Sequence, residues 1–159
     1  MYKIMFVCHG NICRSPMAQV YMQNLIEAQG LQNQFLVNSS ATTTEEIWNG
    51  RGNPIYPPAM DELRKHGLDG PLADSLRASL LTRADLEKYD YFIGMDRENL
   101  RDMRRILGRA AENKISLLLD YTDHPRDVAD PWYTGNFRDT WEDIEAGCQG
   151  LLEQLLKNQ

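Results

Sequence analysis

Residues 7–16, VCHGNICRSP, combine residue types that suit phosphate chemistry, with Cys8 separated from Arg14 by five residues. Backbone N–H groups of such a loop, placed before a helix N-terminus, can form a cradle for a tetrahedral oxyanion. An arginine can clamp that anion with parallel charge-assisted hydrogen bonds. The same positive groups favour a thiolate, which is a nucleophile toward a bound phosphorus. We therefore predict that Cys8 is the nucleophile and Arg14 the phosphate clamp.

A second stretch, DPWYTGNF at residues 130–137, supplies what phosphate transfer needs besides a nucleophile. Expelling an alkoxide or phenoxide from phosphorus requires a proton donor, and an aspartate beside an aromatic surface can serve. We predict that Asp130 protonates the leaving oxygen and then activates a water against the phosphocysteine. Pro131 is expected to stiffen this loop, and Trp132 and Tyr133 are expected to form walls for a flat phenyl ring.

Strands and helices alternate along the chain. Strands are expected at 3–8, 35–41, 89–95 and 115–119, and helices at 16–28, 58–66, after Thr82, at 96–107 and beyond 136. This order is typical of an α/β fold: one four-stranded parallel sheet, doubly wound as in Rossmann and flavodoxin-like proteins, with helices on both faces. Such folds bind ligands beyond the carboxyl ends of their strands. We therefore expect Cys8 and Asp130 on the same rim.

Local signals mark several element ends. Ser15 is the expected N-cap of the first helix, with Pro16 as its first residue. Thr82, followed by Asp85 three positions later, resembles a capping box. Residues 42–58 and the stretch from 120 to about 136 are expected to be loops. The residues of the final helix that we expect to face the core are Trp141, Ile144, Leu151, Leu152 and Leu155.

The composition narrows the class of protein. The chain has 159 residues, 42% of them hydrophobic and 25% charged, which suits one domain spanning residues 1–159. The net charge of −6 argues against a general nucleic-acid binder, and no apolar run suits a membrane span or a signal peptide. We therefore expect a cytoplasmic protein without nucleic-acid or membrane partners. Three cysteines and three histidines lie too scattered for a disulfide framework or a zinc site, so no metal is expected.

The block VCHGNICRSP closely resembles the signature of the low-molecular-weight protein-tyrosine phosphatase family, and DPWYTGNF resembles the general-acid loop of that family. Weaker matches such as VNSSAT, RKHGL and YDYFIGMD extend the resemblance over nearly the whole chain. The resemblance implies hydrolysis of phosphotyrosine on proteins or peptides through a phosphocysteine intermediate, with inorganic phosphate as product and no cofactor. A monomer is the default expectation. The loop residues implied to bind phosphate beside Cys8 and Arg14 are His9, Gly10, Asn11, Ile12, Cys13 and Ser15.

Support for this loop is only partly predictable. Asn11 is expected to adopt a left-handed backbone conformation that turns the loop amides inward. The resemblance implies that Ser15 and Ser39, on the second strand, hold its side chain. The family usually adds a histidine and an arginine in an H-x-x-R element, but this chain has Leu76 and Ser79 there. This departure concerns the support of the loop and not the prediction of Cys8 as nucleophile.

Three further residues receive weaker interpretations. Cys13 resembles the second loop cysteine of the family: either it captures a peroxide-generated sulfenic acid on Cys8 as a reversible disulfide, or it is a small buried residue. Trp48, within EEIWNGRGNP, either contacts substrate or packs at the surface or in the core. Cys148, on the last helix, is expected in the core.

Three alternative functions fit the same loop. Arsenate reductases share the fold and the C-x5-R loop, but they relay oxidation through further cysteines, and LLTRADLEKYDYFIG contains none. Phosphoarginine phosphatases tend to have threonine at the position of Ile12, whereas Ile12 with Trp132 and Tyr133 favours an aryl phosphate. A phosphocysteine carrier or a phosphate-binding module is the non-enzymatic alternative, and neither needs both Arg14 and Asp130.

Overall fold

A parallel sheet forms the centre of the computed structural model, which describes residues 1–158. The strands are β1 Tyr2–Cys8, β2 Phe35–Ala41, β3 Ile47–Trp48, β4 Arg51–Gly52, β5 Tyr91–Gly94 and β6 Ile115–Leu117. The main sheet has the order β2-β1-β5-β6 with every pairing parallel, while β3 and β4 form a separate antiparallel hairpin. The predicted α/β fold with a four-stranded, doubly wound sheet is confirmed.

Helices cover both faces of the sheet. Within residues 1–158 the α-helices are α1 Arg14–Ala28, α2 Pro57–Lys65, α3 Pro71–Ser75, α4 Arg97–Leu107, α5 Pro131–Thr134 and α6 Phe137–Lys157. Helices α1 and α6 pack together on one face, and α4 packs on the other. None of these described helices is both long and apolar enough to cross a membrane.

Strand β1 shows how the two faces form. Ile4, Phe6 and Cys8 belong to the core shared with α1 and α6, whereas Met5 and Val7 belong to the core under α4. Because β1 lies between β2 and β5 and both its faces are covered, it is apolar along most of its length. Cys8, its last residue, therefore arrives at the carboxyl edge of the sheet on the side where α1 begins.

Helix α6 seals the larger core. All of its residues that were predicted to face inward are buried, namely Trp141, Ile144, Leu151, Leu152 and Leu155. Cys148 is buried as well. Trp141 meets the ring of Tyr21 edge-on, with the ring centroids 5.3 Å apart. Gly150 allows the helix to approach closely, since a Cβ there would collide with the carbonyl oxygen of Tyr121.

The predicted start of the first helix was wrong by two residues. Helix α1 begins at Arg14 with Cys13 as its N-cap, so Ser15 lies inside the first turn rather than before it. The hydroxyl of Ser15 does not cap the helix because it bonds instead to the sulfur of Cys8 and the side-chain amide of Asn11. The local sequence preference for a serine cap yields here to a tertiary hydrogen bond.

Two segments expected to be loops contain short elements. Residues 42–58 include the hairpin of β3 and β4, whose turn has Asn49 and Gly50 at positive φ, 50° and 72°. Asn-Gly is a strong hairpin signal, but strands of two residues give no alternation to detect. The stretch 120–136 contains α5. The predicted capping box at Thr82 is confirmed, and it opens a 3-10 helix at Arg83–Glu87.

The hairpin is docked onto the body of the protein through Gly52. A Cβ on Gly52 would collide with the backbone of Ala78, and the N–H of Ala78 donates to the carbonyl oxygen of Asn53 at 2.9 Å. Glu46, which precedes the hairpin and accepts from the N–H of Asn53 at 2.8 Å, packs on Gly10, where a Cβ would lie 3.3 Å from its Cγ. The hairpin segment is thereby held against the loop that follows β1.

Candidate active site

The sulfur of Cys8 lies at the turn between β1 and α1 and is surrounded by donors. The backbone N–H groups of Asn11 and Ser15 point to it at 3.3 and 3.4 Å, and the hydroxyl oxygen of Ser15 lies 2.9 Å away. These contacts arise because the loop wraps around the end of the strand and α1 begins directly above it. These groups are placed to stabilise negative charge that develops on the sulfur.

The loop holds its shape through Asn11, which is buried and has the expected left-handed backbone with φ of 59°. Its side-chain Nδ2 donates to Ser15 Oγ at 2.8 Å and to Ser39 Oγ at 2.9 Å. Its Oδ1 accepts from the backbone N–H of Ser79 at 3.0 Å. Every polar atom of the carboxamide is therefore paired, which stabilises a backbone conformation that asparagine tolerates better than most residues.

Arg14 is buried at the carboxyl edge and fixed by three acceptors. Nη1 donates to Asp96 Oδ2 at 2.8 Å and to the carbonyl oxygen of Val128 at 3.0 Å, and Nη2 donates to Asp130 Oδ2 at 3.3 Å. Burial opposes the charge of Arg14, but the negative groups of Cys8, Asp130 and Asp96 outweigh it and raise the pKa of Arg14. The guanidinium is thus a permanent positive charge held in one orientation.

Asp130 is oriented by the short helix that it opens. As N-cap of α5, its Oδ1 accepts the N–H of Trp132 at 3.0 Å, while its other oxygen faces Arg14. Pro131 occupies the first helical position and is buried, which stiffens the segment as expected. The structure brings Cys8, Arg14 and Asp130 together at the carboxyl edge of the sheet, the rim where Cys8 and Asp130 were expected.

These groups line a cavity of about 290 Å³. Its lining residues are Cys8, His9, Gly10, Asn11, Ile12, Cys13, Arg14, Glu45, Glu46, Asp130, Trp132 and Tyr133. Trp132 and Tyr133 are 56% and 84% exposed, so they stand at the mouth rather than at the base. Trp132 rests against the ring of Tyr56, with the ring centroids 4.9 Å apart. The result is a polar base with an aromatic entrance.

Trp48 is not brought to this cavity. It lies on β3 of the hairpin, is 80% exposed and does not belong to the cavity lining. Trp48 was expected either to contact substrate or to pack at the surface or in the core, and in the structure it lies at the surface. The hairpin region instead contributes Glu45 and Glu46, and Glu45 pairs with Nε2 of His9 at 2.9 Å. The mouth of the cavity is therefore partly acidic, which the sequence prediction did not include.

The comparison with known proteins decides the family. The model of the family described as "Low molecular weight phosphotyrosine protein phosphatase" matches residues 3–159. The chain belongs to this family. It is similar to "Low molecular weight protein-tyrosine-phosphatase YfkJ" of Bacillus subtilis (strain 168), with 35% identity over 161 aligned residues, covering 100% of this chain and 99% of that protein. Its identity to the Homo sapiens "Low molecular weight phosphotyrosine protein phosphatase" is 31%, covering 95% and 94% of the two chains.

Solved structures agree with this low molecular weight phosphatase family. The crystal structure of YfkJ from Bacillus subtilis superposes with a TM-score of 0.92 at 35% identity, covering 100% of this chain and 97% of that one. The crystal structure of SP-PTP, from Streptococcus pyogenes, gives a TM-score of 0.83 at 32% identity, covering 98% and 93%. The expected family and the expected enzyme class, a protein-tyrosine phosphatase, are confirmed.

In this family member, sequence reasoning missed several residues that build the site. Asp96 follows β5 at the same edge as Cys8, so its position after a strand was a signal that could have identified it. The support from Ser79 comes through its backbone N–H, which any residue supplies, so the side chain carried no signal. Gln19, whose Oε1 accepts a hydrogen bond from the hydroxyl of Ser39 at 2.6 Å, belongs to no motif that the sequence analysis identified.

The remaining cysteines of the phosphatase differ from Cys8 in their surroundings. Burial, with the negative charge of Cys8 as the next cause, raises the pKa of Cys13 above its ordinary range. Cys148 is fully buried against α1, and burial alone raises its pKa. All three cysteines are free. Across residues 1–158, no group of three or more His, Cys, Asp or Glu side chains is arranged to hold a metal ion.

Proposed function

We propose that this protein hydrolyses phosphotyrosine on proteins or peptides through a phosphocysteine intermediate on Cys8. The observation that carries the proposal is the arrangement around Cys8: its sulfur accepts from two backbone N–H groups, lies 2.9 Å from the Ser15 hydroxyl, and lines the same cavity as Arg14 and Asp130, whose side chains are 3.3 Å apart. One group can attack phosphorus, one can hold its oxygens, and one can move a proton.

In the first step, the phosphate dianion of the substrate enters the loop. Nη2 of Arg14 then donates to a phosphate oxygen instead of to Asp130. Nη1 stays on Asp96, so the guanidinium keeps its plane. The Cys8 thiolate forms a bond to phosphorus as the bond from phosphorus to the phenolic oxygen breaks. Asp130, in its acid form, gives its proton to that oxygen, and tyrosine leaves uncharged.

In the second step, a water molecule attacks phosphorus from the side that tyrosine has left. Asp130, now a carboxylate, accepts a proton from that water. The bond between sulfur and phosphorus breaks, its electron pair returns to Cys8 as a thiolate, and inorganic phosphate is released. The hydroxyl of Ser15, 2.9 Å from the sulfur, stabilises the returning charge. The loop of His9, Gly10, Asn11, Ile12 and Cys13 holds the phosphoryl oxygens in both steps.

The proposed substrate side chain is aromatic because of the cavity walls. Trp132 and Tyr133 flank the entrance and Ile12 adds an apolar surface within it, so a phenyl ring can be held with its phosphate at the base. Trp48 is exposed and lies outside the cavity lining, so it is not proposed as a wall for the phosphotyrosine ring. The relatives named as tyrosine phosphatases support the same substrate class.

The remaining features of the proposal concern the whole protein. One catalytic domain, residues 1–159, acts as a monomer with a phosphotyrosine protein or peptide as its partner. Its steps use side chains of the chain itself, and no cofactor takes part. A cytoplasmic location suits a reaction that depends on a free thiol, since all three cysteines are unpaired and a reducing compartment keeps them so.

The discriminating experiment compares substrate classes. We expect phosphotyrosine peptides to be hydrolysed with a higher kcat/KM than matched phosphoarginine peptides; the reverse order would make the protein a phosphoarginine phosphatase. Arsenate reduction coupled to thioredoxin would instead support a reductase, although Cys148, the one cysteine outside the loop, is buried on α6. Stable phosphate binding without turnover of any ester would leave a carrier or a binding module.

A further inference from the structure

Gln19 lies on α1 below the phosphate-binding loop and makes two polar contacts, although it is only 5% exposed. Its Nε2 donates to the carbonyl oxygen of Val37 on β2 at 3.3 Å. Its Oε1 accepts from the hydroxyl of Ser39 at 2.6 Å. Gln19 does not line the cavity and touches none of the groups assigned to the reaction, so its contacts require another explanation.

The two contacts fix the direction of the hydrogen bonds. A backbone carbonyl can only accept, so the end of the Gln19 carboxamide that faces Val37 must be its NH₂ group. The other end is then a carbonyl oxygen, which can also only accept. Ser39 must therefore donate its single hydroxyl proton to Gln19, and it can only accept a hydrogen bond from its other neighbour.

That neighbour is Asn11, whose Nδ2 donates to Ser39 Oγ at 2.9 Å. The orientation of the Asn11 carboxamide is also fixed from its other end, because Oδ1 receives the N–H of Ser79 at 3.0 Å. The second proton of Nδ2 is donated to Ser15 Oγ at 2.8 Å. Ser15, which now accepts from Asn11, has its own proton free to point at the Cys8 sulfur, 2.9 Å away.

We propose that Gln19 is a positioning residue: it keeps Ser39 as an acceptor for Asn11, and so reinforces the orientation of the Asn11 carboxamide that the N–H of Ser79 also fixes. With Asn11 held in this orientation, Ser15 accepts from Nδ2 and can donate its own proton to the sulfur of Cys8, where it would stabilise negative charge during attack and departure. The acceptor that holds Ser39 lies on helix α1.

The inference rests on the proposed role of Cys8, and Gln19→Met tests it. Methionine has nearly the same length but offers neither the donor to Val37 nor the acceptor to Ser39. We expect kcat to fall about tenfold, the order expected for one lost buried hydrogen bond, with little change in KM. The pH at which the rate of Cys8 alkylation by iodoacetamide reaches half its maximum should be higher in Gln19→Met than in wild type. This second readout needs no phosphatase activity, so it separates failure of this inference from failure of the proposed function.

Two further variants distinguish positioning from stability. Gln19→Glu keeps an acceptor for Ser39 and should retain more of kcat than Gln19→Met. Ser39→Ala removes the hydroxyl that Gln19 contacts. The double variant that combines Gln19→Met with Ser39→Ala should therefore lose no more activity than Ser39→Ala alone. Tyr121→Phe is the stability control, since it removes a hydrogen bond to Ser116 away from the site and should leave kcat and alkylation unchanged.

The outcome that overturns the inference is a Gln19→Met protein that loses stability as Tyr121→Phe does but keeps wild-type kcat and the wild-type pH dependence of alkylation. Additive losses in the double variant would also overturn it, because they would show that Gln19 and Ser39 act separately. If alkylation shifts as expected while the wild type hydrolyses no phosphate ester, the hydrogen-bond chain stands and the proposed function fails.

Discussion

Nη2 of Arg14 lies 3.3 Å from Oδ2 of Asp130, so the proposed phosphate clamp and the proposed general acid are hydrogen-bonded to each other. Both are anchored elsewhere as well: Arg14 by Asp96, and Asp130 by the N–H of Trp132. A phosphate that takes Nη2 for itself breaks only the contact between the two. In the proposed mechanism, substrate binding thereby frees one oxygen of Asp130 for the leaving group while the other contacts of both residues are kept.

Asp130→Asn should separate binding from turnover. The amide keeps the helix cap on Trp132 but cannot donate a proton as an acid does, so kcat should fall by about a hundredfold or more. The loss should be smaller for p-nitrophenyl phosphate than for phenyl phosphate, because p-nitrophenolate needs less protonation. Inhibition by inorganic phosphate should persist. Equal losses on the two esters would contradict the proposed acid.

Asp96→Asn tests whether Asp96 orients Arg14. Asparagine can still cap α4 through Oδ1, which accepts the N–H of Asn99 at 2.8 Å, but it turns an NH₂ group toward Nη1 of Arg14. We expect kcat/KM to fall about tenfold with a Tm close to wild type. Asp96→Ala should add a stability loss of about 1 kcal/mol, since the cap is lost too. Unchanged kinetics in Asp96→Asn would remove Asp96 from the site.

Cys13 is proposed to protect Cys8 from peroxide. Peroxide converts Cys8 to a sulfenic acid; the Cys13 sulfur then bonds to the Cys8 sulfur, and hydroxide leaves with the Cys13 proton as water. Cys13→Ser should therefore recover less activity with thiol than wild type after the same peroxide exposure, whereas Cys148→Ala should recover like wild type. Equal recovery in Cys13→Ser would leave Cys13 as a buried residue without a protective role.

Cys148 should make the protein less stable in alkali. Burial raises its pKa in the folded state above the ordinary value of 9.0, so below that pH both states hold the proton and nothing is lost. Above it the unfolded chain releases the proton and the folded chain does not, which lowers the free energy of unfolding by up to about 1.4 kcal/mol per pH unit. Urea unfolding at about pH 8 and about pH 10 should show a smaller alkaline loss in Cys148→Ala than in wild type. Equal losses would mean that Cys148 does not titrate as described.

The parts of the site that the sequence predicts are those fixed by the local chain. Cys8, Arg14 and Asp130 stand in short segments whose backbone shape depends on adjacent residues, and apolar runs such as β1 mark the strands that deliver them. The N-cap of α1 was predicted wrongly because the Ser15 hydroxyl is used by Cys8, a contact that local preference does not include.

The parts that could not be predicted depend on tertiary placement. Gln19 contacts Val37 and Ser39 because α1 lies beside β2, and a glutamine in a helix gives no local signal of such contacts. Ser79 contributes a backbone N–H, so no side chain identifies it. Glu45 and Glu46 line the cavity from the segment before the hairpin, whose Gly52 packs closely on Ala78, and neither placement has a local sequence signal.

The most direct measurement is hydrolysis of p-nitrophenyl phosphate in the presence of EDTA by wild type and by Cys8→Ser, with acid quench and mass spectrometry of the peptide that contains residue 8. We predict that wild type turns over and carries a phosphoryl group on Cys8 during turnover, while Cys8→Ser is reduced to background. A serine variant that hydrolyses the ester as fast as wild type, or turnover with no phosphoryl group on Cys8, would contradict the role of Cys8 as nucleophile.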